Sequence, residues 1–191
     1  MIRTRVGYAG GTTKNPTYHH LGDHTETLQL DYDPAVITYA ELLTVFWDSH
    51  SPERSAWSRQ YMAAAFYHNE MQLEAIEASR AKIASEIKRE IKTQVLPFTG
   101  FTLAEDYHQK HALRRNSQML EEFRAMYPKS EDLVASTAAA RVNGYLAGYG
   151  ECDRLKREID ALGLSLEGSR KLLALVCGRK AAMSCPIGGD S

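Results

Sequence analysis

Cysteine is nearly absent from this chain. Its 191 residues hold three, Cys152, Cys177 and Cys185, all toward the C-terminal end. An odd and low count excludes a disulfide framework and implies free thiols in a reducing, cytoplasmic setting. A basic excess is missing as well. The net charge of -1 leaves nothing to neutralise phosphates, so neither nucleic acid nor an anionic membrane is expected as a partner. No apolar run approaches the length that spans a bilayer. The opening MIRTRVGYAGG carries no apolar core of a secretion signal. Metal signatures are lacking too: there is no CxxC and no HExxH. His19, His20 and His24 lie near Asp23, and Glu105, His108 and His111 share one segment. A di-iron site would need a second ExxH, so these histidines read as surface or hydrogen-bonding groups and no metal is expected.

What is present is ordinary in bulk and informative in detail. Hydrophobic residues make up 43% and charged residues 25%, enough for a globular domain with an appendage. Residues 7 to 34 hold a glycine-rich turn, GYAGG, then NPTY, HTET and DYDP. Leu28, Leu30 and Tyr32 alternate with Gln29 and Asp31, the pattern of a strand with one apolar face. Glu26 has the parity of the apolar set and is expected to point at the core. A buried carboxylate either finds a partner, snorkels, or keeps its proton at neutral pH and so becomes an acid catalyst.

Further along, Thr38 with Glu41 forms a capping box before the apolar face Leu42, Leu43, Val45 and Phe46. SPERSAWS is a loop. Gln60 to Tyr67 reads as a strand, and Asn69 caps a helix running to about Arg89. Ile91 to Leu96 is another strand, stopped by Pro97, and Asp106 to Met126 is helical in pattern. From Ser130 the composition shifts to alanine, leucine and charge, in three short glycine-broken helices. The expected division is a domain over 1–129, a helical appendage over 130–180 and a disordered tail over 181–191. Strands alternating with helices give an α/β or α+β domain.

GYAGG, NPTY, HTET and DYDP, followed by ITYAELLTVFWDSH, QYMAAAFYHNE and AEDYHQKH, resemble the peptide methionine sulfoxide reductases of the A type, which reduce the S epimer of methionine sulfoxide in proteins. The likeness covers about residues 2 to 115. It implies a two-layer sandwich with a ferredoxin-like core. It also implies that Glu26 is the acid, that the hydroxyls of Tyr18 and Tyr61 hold the sulfoxide oxygen, and that His108 lines the site. No cofactor is implied; the reductant would be thioredoxin or another thiol.

The family's nucleophile lies in a glycine-cysteine-phenylalanine-tryptophan motif upstream of GYAGG, and here only MIRTRV stands before Gly7. The expectation is therefore a fragment, or an inactive form, in which a central strand is missing. Backbone groups left unpaired and buried in mid-sheet would cost more than about 1 kcal/mol each. In the loop before Tyr61, Ala56 stands where the family pattern has an aspartate. Of two tryptophans that might wall the methyl group, Trp47 reads as core and Trp57 lies in the loop. Cys152 and Cys185 are candidate resolving thiols, while Cys177, in LLALVCG, reads as a buried small hydrophobe. A non-catalytic protein that binds methionine sulfoxide, or serves as an interaction module, is the alternative.

Overall fold

GYAGG closes the first strand. In the computed structural model, which describes residues 2–183, β1 (Arg3–Ala9) runs into a turn at Gly10, whose φ of 76° favours glycine. A Cβ there would also lie 2.8 Å from the Phe66 ring, so both backbone and space require the missing side chain. β2 (Thr25–Asp31) returns antiparallel, with Val6 opposite Leu28 and Tyr8 opposite Glu26. On the other side of β1 lies β5 (Phe101–Leu103), also antiparallel, giving the order β2-β1-β5.

The remaining strands form a separate sheet. β3 (Ala64–Tyr67) pairs parallel with β4 (Gln94–Pro97), through the crossover that α2 (Glu70–Ile87) provides. α1 (Tyr39–Asp48) begins at the Thr38–Glu41 capping box read from the sequence, and Asn69 caps α2 by accepting from the Gln72 amide at 2.9 Å. Leu43 and Trp47 of α1, Ile76 of α2 and Ile91 form one core over this small sheet. Trp47 is 4% exposed, and its indole donates to Ser79 Oγ at 2.9 Å, so it is a core residue as expected.

Two expectations change here. Gln60 and Tyr61 belong to a 3-10 turn, Arg59–Tyr61, and the strand starts only at Ala64. The face of β2 that carries Glu26 and Leu28 is not core: Glu26 is exposed and Leu28 is 58% exposed. Leu21 and Ala104 pack over Tyr8 on β1, and that cover stops short of β2, the edge strand. The alternation is real, but no local pattern says how far the cover extends.

The chain divides into two compact units, Arg3–Glu105 and the residues from Asp106 on. The second contains α3 (His111–Arg114), α4 (Ser117–Met126), α5 (Ser130–Ala135), α6 (Thr137–Leu146), α7 (Cys152–Glu158) and α8 (Leu166–Met183). The segment expected as one helix over Asp106–Met126 is broken at Lys110, whose φ is 52°. α8 continues through residues 181–183, which had been assigned to the tail; residues 184–191, with Cys185, lie outside the described residues. Twelve apolar residues, among them Phe123, Leu155 and Leu172, form a single buried cluster in this unit. Tyr145 donates to Glu158 at 2.5 Å beside the Arg141–Glu158 ion pair, and burial followed by the Glu158 carboxylate pushes the phenol up to about 12.

The expected free thiols are also corrected. Cys152 and Cys177 form a disulfide, with their Cα atoms 4.9 Å apart, so Cys177 is not an unreacted core residue. The packing of α7 against α8 brings together two positions 25 residues apart, which neither local sequence context reveals. The mixed α/β class and the helical C-terminal region hold. Among the described residues no helix is long and apolar enough to cross a membrane.

Candidate functional site

Three loops of the first unit meet beside the N-terminal end of β2. The glycine turn is fastened by Asp23, whose carboxylate accepts from the amides of Thr12 and Thr13 at 2.8–2.9 Å and from both threonine hydroxyls. These bonds, the Thr13 amide foremost, hold the Asp23 carboxyl far below the usual carboxylate range. His24 is buried, and its Nε2 lies 2.9 Å from the Thr13 carbonyl. Asp23 and His24 thus serve the loop.

Arg59 ties the second loop to the first. Its Nε donates to the Asp23 carbonyl at 2.7 Å and its Nη2 to the Gly10 carbonyl at 2.9 Å. The Thr25 hydroxyl donates to the carbonyls of Gln60 and Met62 at 3.0 and 3.3 Å, fixing the start of β2 against the 3-10 turn. The third loop carries Tyr18. Glu105 accepts the Tyr18 amide at 3.0 Å with one oxygen and the Tyr8 hydroxyl at 2.6 Å with the other. The buried Tyr8 therefore anchors, through Glu105, the backbone from which Tyr18 projects.

The result is a cluster of polar groups open to solvent. Tyr18 and Tyr61 lie close enough for their side chains to interact, with the Glu26 carboxylate near enough to act on Tyr61 by charge. The Tyr61 phenol is pushed above its ordinary value, first by desolvation, then by the charges of Tyr18 and Glu26 and by the Tyr18 hydrogen bond. The Tyr61 hydroxyl therefore holds its proton near neutrality, and a phenol hydroxyl can donate. Gln60 donates its amide to Glu26 Oε1 at 2.7 Å, which orients the carboxylate. Trp57 leans against Tyr61, with ring centroids 5.1 Å apart and the planes tilted by 38°.

The fold thus brings Tyr18, Glu26 and Tyr61 together. Gln60, Arg59 and Glu105 were missed by sequence reasoning; their proximity to Tyr61 and to AEDYHQ was a signal, their hydrogen bonds were not. His108 lies in the second unit, on the turn Asp106–His108, with its ring 4.2 Å from that of Tyr107. Cys152 is held in the disulfide of that unit. Among the described residues no three histidine, cysteine, aspartate or glutamate side chains stand together as a metal site would require.

Residues 1–141 match the family model described as peptide methionine sulfoxide reductase. Residues 129–168 match a second one, described as the helical domain of selenoprotein methionine sulfoxide reductase A. A peptide methionine sulfoxide reductase of Drosophila melanogaster is 39% identical over 167 residues, covering 86% of this chain and 67% of that protein. Peptide methionine sulfoxide reductase A5 of Oryza sativa subsp. japonica is 38% identical over 154 residues, with 77% of this chain and 59% of that protein covered. The crystal structure of Mxr1 from Saccharomyces cerevisiae in reduced form superposes with a TM-score of 0.54 at 30% identity, covering 60% of this chain and 71% of that one.

Proposed function

This chain belongs to the peptide methionine sulfoxide reductase family, and on that premise we propose that Tyr18, Glu26 and Tyr61 bind the oxygen of S-methionine sulfoxide in proteins. The supporting observation is the pairing of Tyr18 with Tyr61 beside a carboxylate oriented by Gln60. Two phenols donate to the sulfoxide oxygen, and Glu26 supplies the proton as the oxygen gains charge. In the full reaction a thiolate attacks the sulfur, the oxygen passes to that thiol as a sulfenic acid, and methionine leaves reduced. A dithiol such as thioredoxin, in a cytoplasmic setting, then returns the sulfenic acid to thiol with release of water.

No cysteine precedes Cys152, and Cys152 and Cys177 are joined to each other. The attacking thiolate is therefore proposed to come from outside the groups that hold the oxygen. The same observation favours a second reading, a protein that binds methionine sulfoxide without reducing it.

Calorimetry on residues 1–191 with a peptide carrying S-methionine sulfoxide, against the same peptide with methionine, tests the oxygen site. Binding should prefer the oxide, and Tyr18→Phe should weaken it up to about tenfold, the size of one lost hydrogen-bond donor. Equal binding of oxide and thioether ends the reading. Assaying both epimers with dithiothreitol, which also opens the disulfide, then decides between catalyst and binder. Turnover confined to the S epimer would make one of the three cysteines the nucleophile.

A further inference from the structure

Trp57 is 84% exposed, while the other tryptophan, Trp47, is 4% exposed. Single exposed apolar side chains are common, but this indole differs from Val36, Val45 or Met71 in touching a residue of the proposed oxygen site. Its ring lies 5.1 Å from that of Tyr61, tilted by 38°.

The loop that bears it is fastened at both ends. The Pro52 carbonyl accepts the amides of Lys92 and Thr93 at 2.7 and 3.2 Å. Arg59, two residues after Trp57, is fixed on the carbonyls of Asp23 and Gly10. An indole held in water on an anchored loop loses little conformational entropy when a ligand covers it. Its uncovered faces offer apolar area and stacking.

Distance and charge narrow the ligand. A sulfoxide oxygen on the Tyr61 hydroxyl leaves the indole one to two residue spacings away, at roughly 3.3–3.6 Å per extended residue. Trp57 is placed to meet the residue beside the oxidised methionine rather than its methyl group. The indole itself carries no charge and no strong acceptor, so an apolar side chain suits it better than a polar one.

We infer that Trp57 is a docking platform for an apolar side chain flanking the oxidised methionine. The inference rests on the oxygen-site reading of Tyr18, Glu26 and Tyr61.

The test uses residues 1–191 and three capped peptides with central S-methionine sulfoxide followed by glycine, leucine or lysine, their affinities measured by calorimetry. The leucine peptide should bind about tenfold more tightly than the glycine peptide, the order of one covered apolar side chain with stacking. Tryptophan emission should shift to the blue with leucine only. Trp57→Ala should bring leucine down to the glycine level and leave glycine unchanged, and Trp57→Phe should keep most of the preference. A lysine peptide that binds as well as leucine, or a Trp57→Ala variant that keeps the leucine preference, overturns the platform. If Tyr18→Phe still weakens every peptide in that case, the oxygen site survives without it. If Tyr18→Phe weakens none, the oxygen-site reading fails and takes the platform with it.

Discussion

Residues 106–183 bury twelve apolar side chains in one cluster, whereas residues 3–105 bury clusters of four and three that stay separate. The first unit, which carries the tyrosines and Glu26, holds its loops by polar links: Asp23 to Thr12 and Thr13, Arg59 to two carbonyls, Glu105 to Tyr8 and Tyr18. The second holds its helices by burial and a disulfide. Hydrogen bonds fix direction but contribute roughly 1 kcal/mol net each, while a buried aliphatic or aromatic side chain contributes about 1.5–3. A site that must aim hydroxyls at one oxygen gains from the first kind of support, and a packed body gains from the second.

The contrast is tested hardest by emptying each core. Phe123→Ala should cost the helical unit about 3–5 kcal/mol in denaturant unfolding. Leu21→Ala, in the small cluster with Tyr8, Ala104 and Val6, should cost the first unit about 2 kcal/mol, the low end for a buried leucine. Equal losses would break the contrast.

Next in size, replacing Cys152 by Ser should cost about 3.5 kcal/mol, the loop-closure value for a separation of 25 residues. Dithiothreitol should reproduce that loss in the native chain and add nothing to the variant. A loss that also reached the site turn would show the units to be less independent than their separate cores imply.

The smallest effect is one of pH and belongs to the first unit. Asp23 has a depressed pKa in the folded chain, so its contribution is complete above the unfolded carboxyl value of about 3.9. It is lost as pH falls from there through the folded value. Amide exchange at Thr12 and Thr13 should rise on acidification before the helical core responds, and Asp23→Asn should remove that acid sensitivity. Simultaneous loosening in both units would count against the division.

Local signals were the legible ones. The Thr38–Glu41 capping box, the Asn69 cap and the glycine turn all form within a few residues, and the structure has them where the sequence put them. Tyr18, Glu26 and Tyr61 were found through motifs, and the fold groups them. The burial of Glu26 was misjudged because alternation marks an apolar face without saying what covers it. The disulfide was invisible for a related reason: Cys152 sits before a charged helix and Cys177 in an aliphatic run, and only helix packing joins them. Arg59 looked like one more loop cation, since its two acceptors are backbone carbonyls, which carry no sequence signature.

The pairing of β1 with β5 sets Gly7 against Leu103, so a strand near the start of its unit finds one of its neighbours among that unit's last residues. A contact of that span is slow to form, because a long loop must close before anything rewards the closure. The helical unit closes shorter spans: α3 meets α6, and α4 meets α8 with Gln118 bonded to Glu167, 49 residues away. During synthesis β1 and β2 can pair early and then hold an open edge until Phe101–Leu103 leaves the ribosome. The groups proposed to hold the oxygen therefore take their final positions late, since Glu105, which carries Tyr18, follows directly on that last strand.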